Sequence, residues 1–72
     1  LQGSEVYRLQ ELLASDPELY PEGLVTGYFG ALTEKAVERF QAKYGIVDSG
    51  TPATTGYGLV GPQTQKKLQE LY

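Results

Sequence analysis

A segment of eleven residues, Gly27 to Val37, occurs a second time in degenerate form as Gly58 to Leu68, 31 residues further along the chain. Both copies read Gly-x-(Phe or Val)-Gly-x-x-Thr-x-x-x-(Val or Leu), so they agree in residue or residue class at five positions. Chance rarely produces such agreement in a chain of 72 residues. A recurring segment indicates a recurring structural unit, so the two copies are expected to adopt the same local structure.

Each copy has the residues of a helix start. Gly30 and Gly61 are suitable N-caps, and Pro62 suits the first helical position because its φ is fixed and it lacks an N–H. Thr33 and Thr64 then fall at the third helical position. From there we expect each Thr hydroxyl to reach back to the backbone N–H of the cap residue, as a Glu does in a capping box.

The composition is that of one folded domain and excludes two classes of partner. Apolar residues make up 40% and charged residues 21% of the chain, a balance that argues against disorder. The net charge is −3 and the six basic residues are scattered among Glu residues, whereas a nucleic-acid binder carries a basic patch. No apolar run approaches the roughly 20 residues of a membrane-spanning helix. The absence of an initial Met indicates a piece excised from a larger protein.

Catalysis, a metal site and a cofactor are not expected. The chain contains no His and no Cys, which removes the commonest catalytic bases and metal ligands. Asp16 with Glu22, or Glu22 with Asp48, could in principle support glycoside hydrolysis. All three carboxylates lie in predicted exposed loops, and so small a chain could hardly form a cleft that desolvates an acid.

The pattern of apolar residues and helix breakers predicts an all-α domain over residues 1–72, a small three-helix bundle with helices at about 4–14, 31–44 and 62–71. Ser4 is the expected N-cap of the first helix, which ends near Ser15 because Asp16-Pro17 disfavours helix. Gly45 is a suitable C-terminal glycine for the second helix.

Two long segments without helical or strand periodicity, residues 15–27 and 45–60, are predicted to be ordered loops. Leu19, Leu24 and Val25 give the first loop apolar side chains that can tuck under the bundle. At the base of the second loop, Ile46-Val47 and Leu59-Val60 are β-formers flanked by turn residues and could make a short β pairing.

Two glutamines occupy equivalent places beside core hydrophobes. Leu9-Gln10 in the first helix and Phe40-Gln41 in the second each put an amide at the edge of the apolar face. We expect the two amides to bond carbonyls and amides of the loops, and so to fix the loop shapes, although contact with a ligand is the alternative.

With these residues laid out, the chain resembles the bacterial peptidoglycan-binding domain of the three-helix type, which is appended to cell-wall hydrolases and related envelope proteins. The resemblance covers residues 3–71. It is carried by Ser4-Glu5-Val6 with Leu9-Gln10 and Leu13, Gly27-Tyr28-Phe29-Gly30 with Thr33 and Ala36-Val37, Phe40-Gln41 with Gly45-Ile46, and Val60-Gly61 with Thr64 and Leu68. Three features depart from the family's pattern: Thr26 in the place of an Asp, Gln65 in the place of an aromatic residue, and a longer loop from Thr51 to Gly58.

The resemblance implies that the turn containing Gly27 and Tyr28 is part of a shallow ligand-binding groove. Because alternate residues of an extended segment point to opposite sides, we expect Phe29 to lie in the core instead. For Tyr28, the alternative to a ligand contact is an exposed residue beside that core position. Tyr offers a flat apolar face and a hydroxyl to a sugar ring, and the chain has six Tyr against two Phe. The candidate ligand-binding residues are those that loops could display, namely Tyr28, Tyr57, Tyr20, Thr26, Gly27 and Thr55. For each Thr, the alternative is that its hydroxyl satisfies the backbone of a turn.

The function that the resemblance implies is a non-catalytic module that attaches a larger bacterial envelope protein to peptidoglycan. We expect it to lie outside the cytoplasm, to be a monomer fused to another domain, and to bind the glycan or the stem peptide. The alternative is a structural or protein-interaction domain that keeps the fold and has lost glycan binding. The substituted Thr26 and the longer second loop motivate that alternative.

Overall fold

The computed structural model describes residues 3–71, which form three α-helices joined by two long loops. Helix α1 spans Ser4–Ala14, α2 spans Ala31–Lys43 and α3 spans Pro62–Leu71. Loop 1 (residues 15–30) joins α1 to α2, and loop 2 (residues 44–61) joins α2 to α3. The predicted all-α three-helix bundle is confirmed, with α2 ending one residue earlier than predicted.

The core forms where the apolar faces of the three helices meet. Leu9 and Leu13 from α1 pack with Val37 and Phe40 from α2 and with Leu68 from α3. Phe40 is fully buried, and its ring lies 4.9 Å from the ring of Tyr44, centroid to centroid. Burying a large apolar side chain is worth about 1.5–3 kcal/mol relative to leaving it exposed, so this cluster is the main source of stability.

Helix α1 begins differently from the prediction. Its N-cap is Gly3, with φ 92, while Ser4 is the first helical residue and makes no capping bond through its side chain. The N–H of Gly3 donates to the C=O of Gly27, 3.0 Å away, and the C=O of Gly3 accepts from the N–H of Tyr7. The Ser4 cap was therefore a wrong prediction, because the backbone bond to loop 1 sets where the helix starts.

Loop 1 packs its first half into the core. Leu19 and Tyr20 are each 2% exposed, and the Tyr20 hydroxyl donates to the C=O of Leu24 at 2.7 Å. Leu24 and Val25, which were predicted to tuck under the bundle, are exposed instead. Tyr20, which was predicted to be on the surface, occupies the interior, where its one polar atom finds a backbone acceptor.

The β pairing predicted between Ile46-Val47 and Leu59-Val60 does not form. The N–H of Ile46 donates to the C=O of Gln41, and the N–H of Leu59 donates to the C=O of Gly56. The C=O of Leu59 accepts from the N–H of Gly61. These local turns, together with the bond from Gln41 Nε2 to the C=O of Leu59, use the backbone groups that a strand pairing would require. Gly45, with φ 70, follows the end of α2 as predicted.

Candidate functional site

Gln10 clamps loop 1 to the beginning of α2. Its side chain is 1% exposed, and its Oε1 accepts hydrogen bonds from the N–H of Thr26 at 2.8 Å and of Gly27 at 2.9 Å. Its Nε2 donates to the C=O of Tyr28 at 2.9 Å and to the hydroxyl of Thr33 at 3.0 Å. One amide therefore satisfies three backbone groups of the loop and one hydroxyl of the helix that follows.

Gln41 clamps loop 2 to the beginning of α3 in the same way. Its Oε1 accepts from the N–H of Gly58 at 2.8 Å. Its Nε2 donates to the C=O of Leu59 at 2.9 Å, to the C=O of Gly56 at 3.0 Å and to the hydroxyl of Thr64 at 3.1 Å. The prediction that the two glutamine amides fix the loop shapes is confirmed.

The two glutamine clamps have identical spacing. In each, the bonded Gly follows the Gln by 17 residues, the bonded C=O by 18 and the bonded Thr by 23. Gly27 and Gly58 have φ 80 and 89, a region that only glycine enters readily. A Cβ on Gly27 would also lie 2.5 Å from the ring of Tyr7. The structural repeat therefore runs from each Gln to each Thr.

Thr33 and Thr64 do not reach back to their cap residues as predicted. Both are buried, and their hydroxyls accept from the amides of Gln10 and Gln41. Burial decides the partner, because an enclosed glutamine NH₂ needs acceptors for both of its N–H bonds. The two helices nevertheless start alike, since the C=O of the glycine before each one accepts a backbone bond from the N–H four residues on, at 3.0 and 2.9 Å.

The second half of loop 1 displays apolar side chains. Tyr28 is 62% exposed, and Leu24 and Val25 are also exposed, as is Leu32 in the first turn of α2. Next to Tyr28, the hydroxyl of Thr26 accepts from the Tyr28 N–H at 3.2 Å. Thr26 thus supports the turn through its hydroxyl, as a short acidic side chain would at this position.

The structure places five of the predicted site residues in two separate groups, and it buries the sixth, Tyr20. Thr26, Gly27 and Tyr28 share the turn at the end of loop 1, and Thr55 and Tyr57 share a turn in loop 2. No hydrogen bond within residues 3–71 joins the two loops. Tyr20 is buried with its hydroxyl bonded, so it cannot contact a ligand at the surface and is withdrawn from the candidate site.

Two other candidates, Gly27 and Thr55, have a structural role in their loops. Gly27 is buried, so its role is to let the loop turn beside the ring of Tyr7. The hydroxyl of Thr55 donates to the C=O of Ser49 at 2.6 Å, although the residue is exposed. Tyr57 is half-buried and Phe29 is partly buried against the core.

An open groove of about 450 Å³ lies between loop 2 and the beginning of α3. Of its lining residues, the sequence named only Thr55 as a candidate ligand contact and did not predict the apolar walls, which come from Ile46, Val47, Leu59 and Pro62. We call this the loop-2 groove. No single local pattern could have identified it, because its apolar walls come from two stretches of the chain, residues 46–47 and 59–62.

A smaller groove of about 320 Å³ lies between α1 and α3. The buried side chains of Leu9 and Leu68 contribute to it, together with the exposed side chains of Glu5 and Arg8. We call it the α1–α3 groove. It differs from the loop-2 groove in having charged residues of both signs along it.

One ion pair, between Lys43 of α2 and Asp16 of loop 1, shifts the pKa values of both residues. Lys43 Nζ lies 2.7 Å from Asp16 Oδ2. The hydrogen bond from Lys43 lowers the pKa of Asp16 below its usual value, assisted by the backbone N–H of Glu18, and the hydrogen bond to Asp16 raises the pKa of Lys43. Asp16 is therefore fully ionised at neutral pH.

Residues 3–71 lack the features of two other classes of site. No group of three or more acidic side chains in this part of the chain is placed to hold a metal ion. None of its helices combines the length and the apolar character that crossing a membrane requires.

Comparison with known proteins identifies one family. The family model named "Putative peptidoglycan binding domain" matches residues 2–68. The matched interval contains both glutamine clamps and both loops. No curated protein and no solved structure matches the chain with significance.

Proposed function

The chain belongs to this peptidoglycan-binding domain family, and on that basis we propose that it is a non-catalytic module that holds a larger bacterial envelope protein on the cell wall. The observation that supports the proposal most directly is the pair of glutamine-clamped loops. Because Gln10 and Gln41 bond the loop backbone from inside, the loops keep their shape without a ligand. A preordered surface loses less entropy when it binds a flexible polymer.

Tyr28 is the side chain best placed to contact the polymer. Its ring is 62% exposed and stands beside Gly30, where a Cβ would lie 3.1 Å from the ring. The absence of that Cβ leaves the ring room, and the hydroxyl of Thr26 holds the backbone beneath it. A fixed, exposed tyrosine face suits stacking on a sugar ring.

The module acts by raising the local concentration of its neighbour on the polymer. Each contact surface is shallow, so the affinity of one site is weak, and attachment of a fused domain converts its later encounters with the wall into intramolecular events. This role places the parent protein outside the cytoplasm, in the periplasm or on the cell surface of a bacterium.

The acidic residues that could have formed a hydrolytic pair do not favour catalysis. Asp16 is held ionised by Lys43, which is opposite to what a general acid needs. Glu22 and Asp48 are exposed, so neither is desolvated as the acid of a glycosidase must be. These features support the non-catalytic part of the proposal.

Sedimentation with purified insoluble peptidoglycan tests the proposal. We expect the wild-type domain to be found in the pellet. Tyr28→Ala should weaken binding about 5- to 10-fold, since an aromatic contact is worth about 1 kcal/mol beyond its area. Leu71→Ala is the matched control, because Leu71 is an exposed residue at the end of α3, and it should bind as the wild type does.

A wild-type domain that stays in the supernatant would refute the proposal. That result would favour the alternative, a structural or protein-interaction domain with the same fold. Thermal unfolding of Tyr28→Ala, followed by circular dichroism, shows whether any loss of binding reflects loss of the ring rather than loss of the fold.

A further inference from the structure

The two loops differ in what they place inside the molecule. Leu19 and Tyr20 follow Gln10 by nine and ten residues, and both are buried. The residues at the same distances from Gln41 are Gly50 and Thr51, which are exposed. Loop 2 therefore lacks, at the corresponding positions, the apolar side chains with which loop 1 fills its own interior.

The loop-2 groove lies beside this unfilled loop, and its surface is apolar and uncharged. Ile46 and Val47 are partly buried along it, and Leu59 is 51% exposed. The hydroxyl of Thr55 and the amide of Gln63 are the polar groups on its exposed side, and none of its lining residues is ionisable. Its volume of about 450 Å³ falls within the range of about 300–1,000 Å³ that is usual for small-molecule sites.

We propose that the loop-2 groove binds an N-acetylated sugar of the glycan, with the acetamido methyl against Ile46, Val47 and Leu59. This inference rests on the proposed function and names the part of the polymer that is bound. An acetamido group has a methyl that can be buried against the apolar wall. It also has one N–H, from which the Thr55 hydroxyl can accept while donating its own proton to the C=O of Ser49, and one C=O, to which the Gln63 amide can donate.

Charge argues against the stem peptide as the occupant of this groove. The peptide carries ionised carboxylates and, in its diamino residue, an ammonium group. In an uncharged groove these groups would lose hydration without gaining a partner, which is unfavourable. The α1–α3 groove, with Glu5 and Arg8 along it, is the surface on which such charges would find partners.

The test is a titration of the nitrogen-15-labelled domain with tri-N-acetylchitotriose, followed through backbone amide chemical shifts. Cellotriose is the matched ligand, because it has hydroxyls in place of the acetamido groups. We expect the amides of Val47, Thr55 and Gln63 to shift with the first sugar and not with the second. The titration should extend to about 20 mM, well above a millimolar Kd.

Variants provide the second readout. Leu59→Ala removes one apolar wall and should weaken binding of tri-N-acetylchitotriose about 3- to 10-fold, at about 0.8 kcal/mol for each CH₂ group that loses its contact. The fold should survive, because Leu59 is half exposed and its clamp bond to Gln41 is made by the backbone. Leu71→Ala should leave the affinity unchanged.

Three results would overturn the inference: no shifts in the groove at the highest concentration, equal shifts with cellotriose, or groove shifts with a free stem peptide instead of the sugar. The sedimentation experiment tests the proposed function separately. If the domain pellets with peptidoglycan but the amides of the groove do not shift with the sugar, the proposed function stands and this inference is wrong. If the domain stays in the supernatant, the proposed function is wrong, whatever the titration shows.

Discussion

Gln10 supplies, with one side chain, hydrogen bonds that the turn of loop 1 would otherwise take from water. The side chain is buried, and no buried side-chain nitrogen or oxygen within residues 3–71 is left without a partner. For a buried polar group, losing its hydrogen-bond partner costs more free energy than keeping the bond contributes. A satisfied hydrogen bond adds about 0.5–1.5 kcal/mol, whereas an orphaned buried donor or acceptor costs about 1–3 kcal/mol. The two clamp glutamines should therefore be far more sensitive to substitution than glutamines on the surface.

Replacing Gln10 with Leu should destabilise the domain by about 2–4 kcal/mol, because the N–H of Gly27 and the hydroxyl of Thr33 lose their partners inside the protein. Gln41→Leu should have a similar effect, since it removes the partners of the N–H of Gly58 and the hydroxyl of Thr64. Urea unfolding followed by circular dichroism measures the free energies. The control is Gln69→Leu, an exposed glutamine on α3, which should stay within about 0.5 kcal/mol of wild type. If the three variants proved equally stable, the clamps would have no special role.

Among the elements, α2 belongs to both halves of the structural repeat. Thr33, near its beginning, completes the first clamp, and Gln41, near its end, opens the second. Its outer side also holds loop 1, because Arg39 donates to the C=O of Leu19 at 3.0 Å and Lys43 pairs with Asp16. The first part of loop 1 is thus attached to the later part of α2.

The ion pair between Lys43 and Asp16 makes this attachment depend on pH. Asp16 has its pKa lowered, chiefly by the hydrogen bond from Lys43, so its contribution to stability is present above the unfolded-state pKa and is lost as the pH falls through the folded-state pKa. Lys43 has its pKa raised by the same bond, so its contribution is present below its unfolded-state pKa and is lost as the pH rises through the folded-state value. The pair therefore stabilises the fold between about pH 4 and about pH 10.

Lys43→Gln should lower the Tm modestly at pH 7, as is usual for an exposed ion pair. The difference from wild type should be smaller at about pH 2, because protonation of the Asp16 carboxylate removes the ion pair. Thermal scans at the two pH values measure it. Lys66→Gln is the control, because Lys66 makes no ion pair with any residue in the range 3–71 and its substitution should change Tm little at either pH. A Tm difference for Lys43→Gln that is the same at both pH values would mean that the pair contributes nothing.

At the scale of the whole molecule, a single small core supports both loops. A domain of this size gains only about 3–5 kcal/mol from its core. The loops have no separate core, since the buried residues of loop 1 belong to the same cluster as those of the helices. A substitution that removes a large buried side chain from that cluster should therefore unfold the candidate site together with the helices.

Phe40→Ala should leave the domain without a cooperative transition at 25 °C. Truncating a buried Phe costs about 3–5 kcal/mol, which equals the whole stability expected of such a domain. The far-ultraviolet circular dichroism of the variant should show loss of helix, and it should not bind peptidoglycan. Leu32→Ala, an exposed position on the same helix, should unfold as the wild type does. A wild-type midpoint for Phe40→Ala would show that the core is not shared.

The positions of the helices, the bundle and the family could all be read from the sequence, because helical periodicity, proline and glycine breakers and a short repeat are local signals. The role of Gln10 and Gln41 was also predictable, from their equivalent places beside core hydrophobes. The sequence did not predict which side chains of the loops face inward. Tyr20 is buried while Leu24 and Val25 are exposed, and Thr33 and Thr64 bond glutamines rather than their own helix caps.

These features were decided by tertiary structure because loops have no periodicity that separates an inner from an outer face. A loop residue is buried only if partners distant in the chain leave space for it and satisfy its polar atoms. The loop-2 groove exists for the same reason, since its walls meet only after α2, loop 2 and α3 have packed together.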